Sequence, residues 1–301
     1  MTVEFAYGDA GDGPAGIVPF PLPLLKGEPR EPIGVGVERA GREGSVTLWR
    51  GPGLVVGCAR IPGGRDLEAS TGVVYADLLR ACRGLHLYRI WNCVPGINAL
   101  GRDGMENYRA FCRARSMAFE RAFGDGFQKK LPSASAVGTS LDDFTVAFVA
   151  GDAAVRHFEN PVQVPAYEYP SEHGPRSPSF ARATSVKSGL GLDLFVSGTS
   201  SVVGHRTVAP GDTSAQLACT LENLRLISSA SGMGDRFAAG SGCRRHFKVY
   251  LRHPEDLRAI SAQVGSQLLA PGDRVTYLRA DICRADLNVE IEVTVRGAER
   301  S

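Results

Sequence analysis

No stretch of this 301-residue chain is an uninterrupted apolar run of the ~18–20 residues needed to cross a bilayer, so no membrane partner is expected. The start, Met1-Thr2-Val3-Glu4-Phe5, lacks the basic residues and apolar core of a secretory signal, and the expected location is the cytoplasm. An excess of one charge sign is also missing. The 34 basic and 32 acidic residues leave a net charge of +2, which gives no electrostatic case for nucleic acid as a partner. Seven cysteines are present, at positions 58, 82, 93, 112, 219, 243 and 283, but the number is odd, the spacing is wide and no pair stands at C-x-x-C. Neither a disulfide framework nor a zinc site is indicated.

What is present describes a folded protein: 43% of residues are apolar and 22% charged. The length suits two domains, read here as residues 1–150 and 151–301. Residues 1–35 are dense in glycine and proline and read as an irregular lead-in lying over a surface. Strands are then expected at 45–49, 54–58, 85–93, 133–137 and 144–150. Helices are expected at 67–82 and 107–123, where apolar residues recur at three- and four-residue steps. The second half repeats the order, with strands at 194–197, 202–205, 247–251, 274–280 and 287–295 and helices at 213–229 and 254–264. Pro210-Gly211-Asp212-Thr213 marks a turn and a helix cap. Strands and helices mixed in this way in each half predict an α+β fold.

The last strand organises the reading. Leu287, Val289, Ile291 and Val293 alternate with Asn288, Glu290 and Glu292, so one face should be packed and the other wet or lining a cleft. Two carboxylates on that second face are either a solvated edge or a place for acid–base chemistry. Aligning Val146 with Val289 sets Ala147 opposite Glu290, which predicts a duplication in which only the second half keeps the acid. A single site at the junction of the halves follows. Between them, 156–184 is proline-stiffened and carries Tyr167, Tyr169, Arg176 and Arg182. It reads as an ordered crossover, as a wall of the site whose arginines clamp anions, or as both.

Several stretches together resemble the chorismatases. They include Arg89-Ile90-Trp91-Asn92, Glu106-Asn107-Tyr108-Arg109 through Arg115, Glu159-Asn160-Pro161, 174–183, Val203-Gly204-His205, 248–256 and 281–290. Leu194–Gly198 and Val289–Glu292 also resemble the YjgF-like reactive-imine deaminase domain. The resemblance implies two YjgF-like halves, each a mixed sheet packed by helices, with the site in the second. It implies cleavage of the enolpyruvyl ether of chorismate, without metal or organic cofactor, by an acid at Glu290. The substrate is small, and the assembly state is expected to be monomer or weak homo-oligomer. Two positions are similar to the 3-hydroxybenzoate-forming kind: Gly198, and Cys283 seven residues before the acid. The hydrolytic kind tends to carry alanine at both. Cys93 departs from the family, which more often has an aromatic after Trp-Asn.

The chemistry needs a carboxyl group still protonated near neutral pH, which burial supplies. It needs cations for a dianion, for which Arg115, Arg176 and Arg182 are candidates, with Tyr167 and Tyr169 as hydroxyl donors or ring contacts. Each arginine is equally readable as an interdomain ion pair, and His205 as a core histidine bonded to backbone. Cys283 is either a small buried residue or, with Glu290, a catalytic one that shapes the pocket, crowds out attacking water or assists loss of the ring proton. The competing readings are hydrolysis of chorismate to the dihydrodiol acid, imine deamination, and a small-molecule binding module. The long first half and the arginine-bearing crossover speak against deamination.

Overall fold

The computed structural model describes residues 1–8, 16–63, 66–188 and 191–298. Of the glycines and prolines singled out in the lead-in, Gly11, Gly13 and Pro14 lie outside these residues.

The first half builds a six-stranded sheet from β5 (Glu38–Glu43), β6 (Val46–Gly51), β7 (Leu54–Pro62), β8 (His86–Pro95), β9 (Ser133–Thr139) and β10 (Asp143–Gly151), ordered β5-β6-β7-β10-β8-β9. Helix α1 (Leu67–Ala81) joins β7 to β8, and α2 (Asn107–Phe123) joins β8 to β9. The second half has β11 (Val155–Phe158), β12 (Ala183–Ser188), β13 (Gly191–Ser200), β16 (Arg244–Leu251), β17 (Arg274–Arg279) and β18 (Val289–Ala298), with α3 (Thr213–Ala230) and α4 (Leu257–Gln267). A small hairpin of β14 (Val202–Val203) and β15 (Arg206–Thr207) stands apart. The second sheet runs β11-β12-β13-β18-β16-β17.

Strand for strand, the halves match. In each, the last strand lies between two antiparallel neighbours, β7 and β8 or β13 and β16, and a parallel partner follows, β9 or β17. Each sheet is mixed and covered by two helices, as the resemblance implied. Local chemistry explains the helix starts: the side chains of Asp66 and Asp212 each accept from a backbone N–H three residues on, at 2.9 Å. Gly124, at φ 71°, ends α2 in a backbone region that side chains disfavour.

Three apolar clusters fix the layers. One packs α1 and α2 on the first sheet, through Val74, Leu78, Phe111 and Phe119 against Val146 and Phe148. One packs α3 and α4 on the second, through Leu217, Leu224 and Ile260 against Val289, Ile291 and Val293. The third lies between the two sheets, where Trp91, Ala147 and Val149 meet Phe195, Tyr250 and Leu278. The molecule is therefore layered helix, sheet, sheet, helix.

The lead-in corrects the sequence reading. It is not irregular: β1 (Thr2–Tyr7), β2 (Ile17–Phe20) and β4 (Arg30–Val35) form a three-stranded sheet, and β3 (Leu24–Gly27) adds a seventh strand beside β17. Val3, Phe5, Val18 and Phe20 are buried in the central cluster. Proline and glycine density concealed strands that alternate apolar residues inward. Of the two alternatives for the polar face of the last strand, wet or lining a cleft, the cleft holds for Glu290. Glu290 and Glu292, 3% and 1% exposed, point into the layer between sheets rather than at water.

Candidate active site

A cavity of about 320 Å³ opens where three parts of the chain meet. The start of α2 brings Tyr108 and Arg109, the crossover brings Tyr169, His173 and Arg182, and the second sheet with its preceding loop brings Gly198, Ser200, Cys283, Arg284 and Glu290. It lies at the junction of the halves. A larger opening of about 830 Å³ lies elsewhere, lined among others by Glu31, Lys187 and His246. Glu31, the most deeply buried acid in its lining, is the wrong kind for proton donation. Burial pushes Glu31 up, but Lys248 and His246 outweigh it and hold it below the usual carboxylate range.

At the floor of the smaller cavity, Ser200 Oγ donates to Glu290 Oε2 at 3.1 Å, while Oε1 has no hydrogen-bond partner among the described residues. Burial first, and the neighbouring Glu292 second, raise Glu290 to about 8. Glu292 goes the other way. Burial pushes it up, but Lys248 and Arg89 outweigh that and hold it at about 2. Its Oε2 accepts from Arg89 Nη2 at 2.6 Å, Ser135 Oγ at 2.5 Å and the Tyr250 hydroxyl at 3.0 Å. Its Oε1 accepts from Trp91 Nε1 at 2.7 Å and lies 2.6 Å from Lys248 Nζ. Arg89 and Trp91 stand on β8 and Ser135 on β9, so the first half supplies most of the groups that keep the second half's Glu292 ionised. Two carboxylates two residues apart are thus driven to opposite protonation states.

Gly198 sits where the β13–β18 register shifts between Val196 and Thr199, a bulge beside the acid. Its N–H donates to Ser135 Oγ at 3.0 Å, and a methyl group built on it would overlap Glu290 Oε1. The missing side chain therefore leaves room for the acid itself. Cys283 is half-buried, and burial, with Glu290 next, pushes its thiol up to about 12. It is a neutral SH at neutral pH.

The candidate cations divide. Arg182 is buried at the cavity, where its Nη2 donates to the Tyr169 hydroxyl at 2.8 Å. Arg115 and Arg176 are elsewhere. Arg115, 2% exposed, is enclosed in the first half's core by the rings of Tyr75, Phe111 and Phe119. The α2 periodicity that singled it out is the periodicity of a core face. Arg176 is on the surface, paired with Glu120 at 2.9 Å. Tyr167 packs on the first half's core, away from the cavity. The arginines missed at the cavity are Arg109 and Arg284, and Arg284 lies over the Tyr169 ring at 5.5 Å. Both lie within quoted stretches, one beside Tyr108 and the other beside Cys283, and adjacency to those residues was the available signal. His205 is not a core histidine bonded to backbone, because its Nδ1 faces His173 Nε2 at 3.0 Å. Cys93 is fully buried between the sheets and does not reach the cavity.

Known proteins resemble this chain in sequence and fold. The family model for the Chorismatase FkbO/Hyg5-like N-terminal domain matches residues 34–150. A 3-hydroxybenzoate synthase of Streptomyces hygroscopicus is 39% identical over 246 residues, covering 78% of this chain and 71% of the relative. A chorismatase of Streptomyces rapamycinicus is 37% identical over 275 residues, covering 86% and 80%. The chain belongs to the chorismatase family. A crystal structure of a chorismatase superposes with a TM-score of 0.82 at 29% identity, covering 98% of this chain and 92% of that one. No helix among the described residues of this chorismatase-family protein is long and apolar enough to cross a membrane.

Proposed function

We propose that the protein cleaves the enolpyruvyl ether of chorismate and forms mainly 3-hydroxybenzoate and pyruvate. The observation that carries the reading is Glu290: a buried carboxyl group, raised to about 8, at the floor of a cavity rimmed by Arg109, Arg182 and Arg284. Near neutral pH this group holds its proton, and three guanidinium groups offer paired donors to a dicarboxylate. Glu290 gives its proton to the terminal methylene carbon of the enol ether. A hydroxyl of the same ring adds to the cationic carbon of the resulting oxocarbenium ion. That oxygen's bond to the ring then breaks and it leaves as the keto oxygen of pyruvate. The ether oxygen stays on the ring with the hydroxyl's proton, and the Glu290 carboxylate takes up the ring proton as the aromatic acid forms. The two products contain the atoms of chorismate and nothing more, so this route consumes no water, whereas hydrolysis adds one molecule.

Gly198 and Cys283 support the internal route by shaping the cavity. Gly198 lets the acid lie close to β13, and the neutral Cys283 thiol fills space from which water would attack. A thiol held near 12 keeps its proton at neutral pH and presents almost no thiolate to take up another, so its part is steric rather than proton transfer. That one relative bears the name 3-hydroxybenzoate synthase is further support.

Incubating the purified protein with chorismate and resolving the products against authentic standards tests the reading. The aromatic acid and pyruvate in equal amounts are expected. The dihydrodiol acid as main product overturns the internal route and leaves ether cleavage standing. No consumption of chorismate overturns both.

A further inference from the structure

The cysteine spacing spoke only against a thiolate zinc site, and the family resemblance implied only that the reaction proceeds without a metal; neither concerns a metal held by histidines outside the reaction. Among the described residues one cluster of three metal-ligating side chains exists: Glu172, His173 and His205. His173 Nε2 and His205 Nδ1 are 3.0 Å apart. One oxygen of Glu172 lies 3.2 Å from His205 Nδ1 and 3.5 Å from His173 Nε2. A tetrahedral zinc ion with bonds of about 2.0–2.1 Å holds its donors about 3.3–3.4 Å apart. The triangle of donors already has the size of one face of that tetrahedron, and a point about 2 Å from all three atoms exists just off its plane.

We propose that Glu172, His173 and His205 form a binding site for Zn²⁺ or a similar late first-row divalent cation, with the fourth position left to water or an anionic oxygen. The ligands come from two segments, each held by its own turn. His173 closes the single helical turn Ser171–His173 behind Pro170, and His205 follows Gly204, whose φ of 57° suits glycine in the β14–β15 hairpin. The Tyr169 ring lies against both imidazoles, its centroid 5.2 Å from His173 and 6.4 Å from His205, and restricts how each can turn. The carboxylate and two neutral imidazoles form a donor set of the kind that binds zinc. Arg109 and Arg284, on the cavity side, oppose a cation and weaken the site relative to a closed structural one.

Occupation has a mechanical consequence. His173 is part of the cavity lining, and His205 stands on the hairpin beside it. A bound ion staples the crossover to that hairpin at the rim. The inference is independent of which product the enzyme makes.

The full-length chain, treated with chelator, is titrated with Co²⁺ and followed by visible absorption. One equivalent giving the intense bands of tetrahedral cobalt without a thiolate charge-transfer band is expected. Binding is expected to weaken by about 10-fold or more in Glu172→Gln and to be lost in His173→Ala and His205→Ala. As a second readout, Zn²⁺ raises the Tm of the wild type by mass action but not that of either histidine variant, with circular dichroism certifying that the variants fold. Absence of cobalt bands at millimolar metal overturns the proposal. So do bands that survive both histidine substitutions, or a thiolate signature, since either places the ion elsewhere.

Discussion

The two halves share one topology and differ in what their last strands present to the space between the sheets. On β10 the inward residues are Ala147 and Val149, and on β18 they are Glu290 and Glu292. The first half is nevertheless not an idle copy. Its β8 and β9 send Arg89, Trp91 and Ser135 across the layer to join the second half's own Lys248, the strongest influence, in holding Glu292 as an anion. That anion in turn helps burial to keep Glu290 protonated. The duplication has divided the labour: one copy carries the acids, and the other carries most of the groups that set them apart.

The comparison is broken most directly at Glu290. Glu290→Gln is expected to lower pyruvate release by about 10²–10⁴-fold while leaving substrate binding measurable by calorimetry. The same variant sharpens the electrostatic reading. Glu290 is raised above its ordinary 4.5, so its contribution to stability is present below that pH and is lost as pH rises toward about 8. Glutamine escapes this loss. The variant should melt higher than the wild type at pH 7 and alike at pH 4, as read by calorimetric Tm.

Severing the support from the first half comes next. Arg89→Met leaves a buried carboxylate short of a cation and should cost about 3–5 kcal/mol in denaturant unfolding. A gentler cut is Glu292→Gln. The proposed mechanism requires protonated Glu290, so on it the wild-type rate should fall as pH rises through about 8. Without the neighbouring anion that limb should move to lower pH, and a pH–kcat/KM profile reads the shift. Glu292 itself stabilises the fold at neutral pH, and this contribution is lost as pH falls from 4.5 toward about 2.

Gly198→Ala with Cys283→Ala should shift the products toward the dihydrodiol acid and, because the new methyl group overlaps Glu290 Oε1, slow ether cleavage as well. The new methyl group displaces the Glu290 carboxyl, and the lost sulfur admits water. Chromatography that still finds only the aromatic acid would remove both residues from the partition. The smallest effect belongs to Arg176→Ala. Its surface pair with Glu120 contributes about 0–1 kcal/mol, and KM should barely change. A large rise in KM would place Arg176 at the substrate after all.

Much of the scaffold was legible because period and capping are local. Helix 107–123 has the bounds read from its apolar spacing, and Asp212 caps α3 as its turn suggested. The lead-in was not legible, because Phe5, packed on Phe20, meets Trp91 across more than eighty residues of chain, and proline-rich strands carry no long alternation. At the site, the alternation of β18 singled out Glu290 correctly as facing away from the helices. It could not tell water from a second sheet, since polar residues mark either. The arginines expose the same limit. Arg115 and Arg284 are equally charged in sequence, and only packing decides that one is enclosed by three aromatic rings while the other reaches the cavity.

The position of β3 has a consequence for how the chain is made. Leu24–Gly27 finds its partner in Arg274–Arg279, some 250 residues later. At about 5–20 residues per second, a ribosome makes that partner roughly 10–50 s after β3 has emerged. Through that interval β3 has no edge to join, and the early apolar side chains of the central layer wait as long for Ile282 and Leu287. The first sheet can close on its own residues, whereas the sheet bearing the acid is completed only by a strand made long before it.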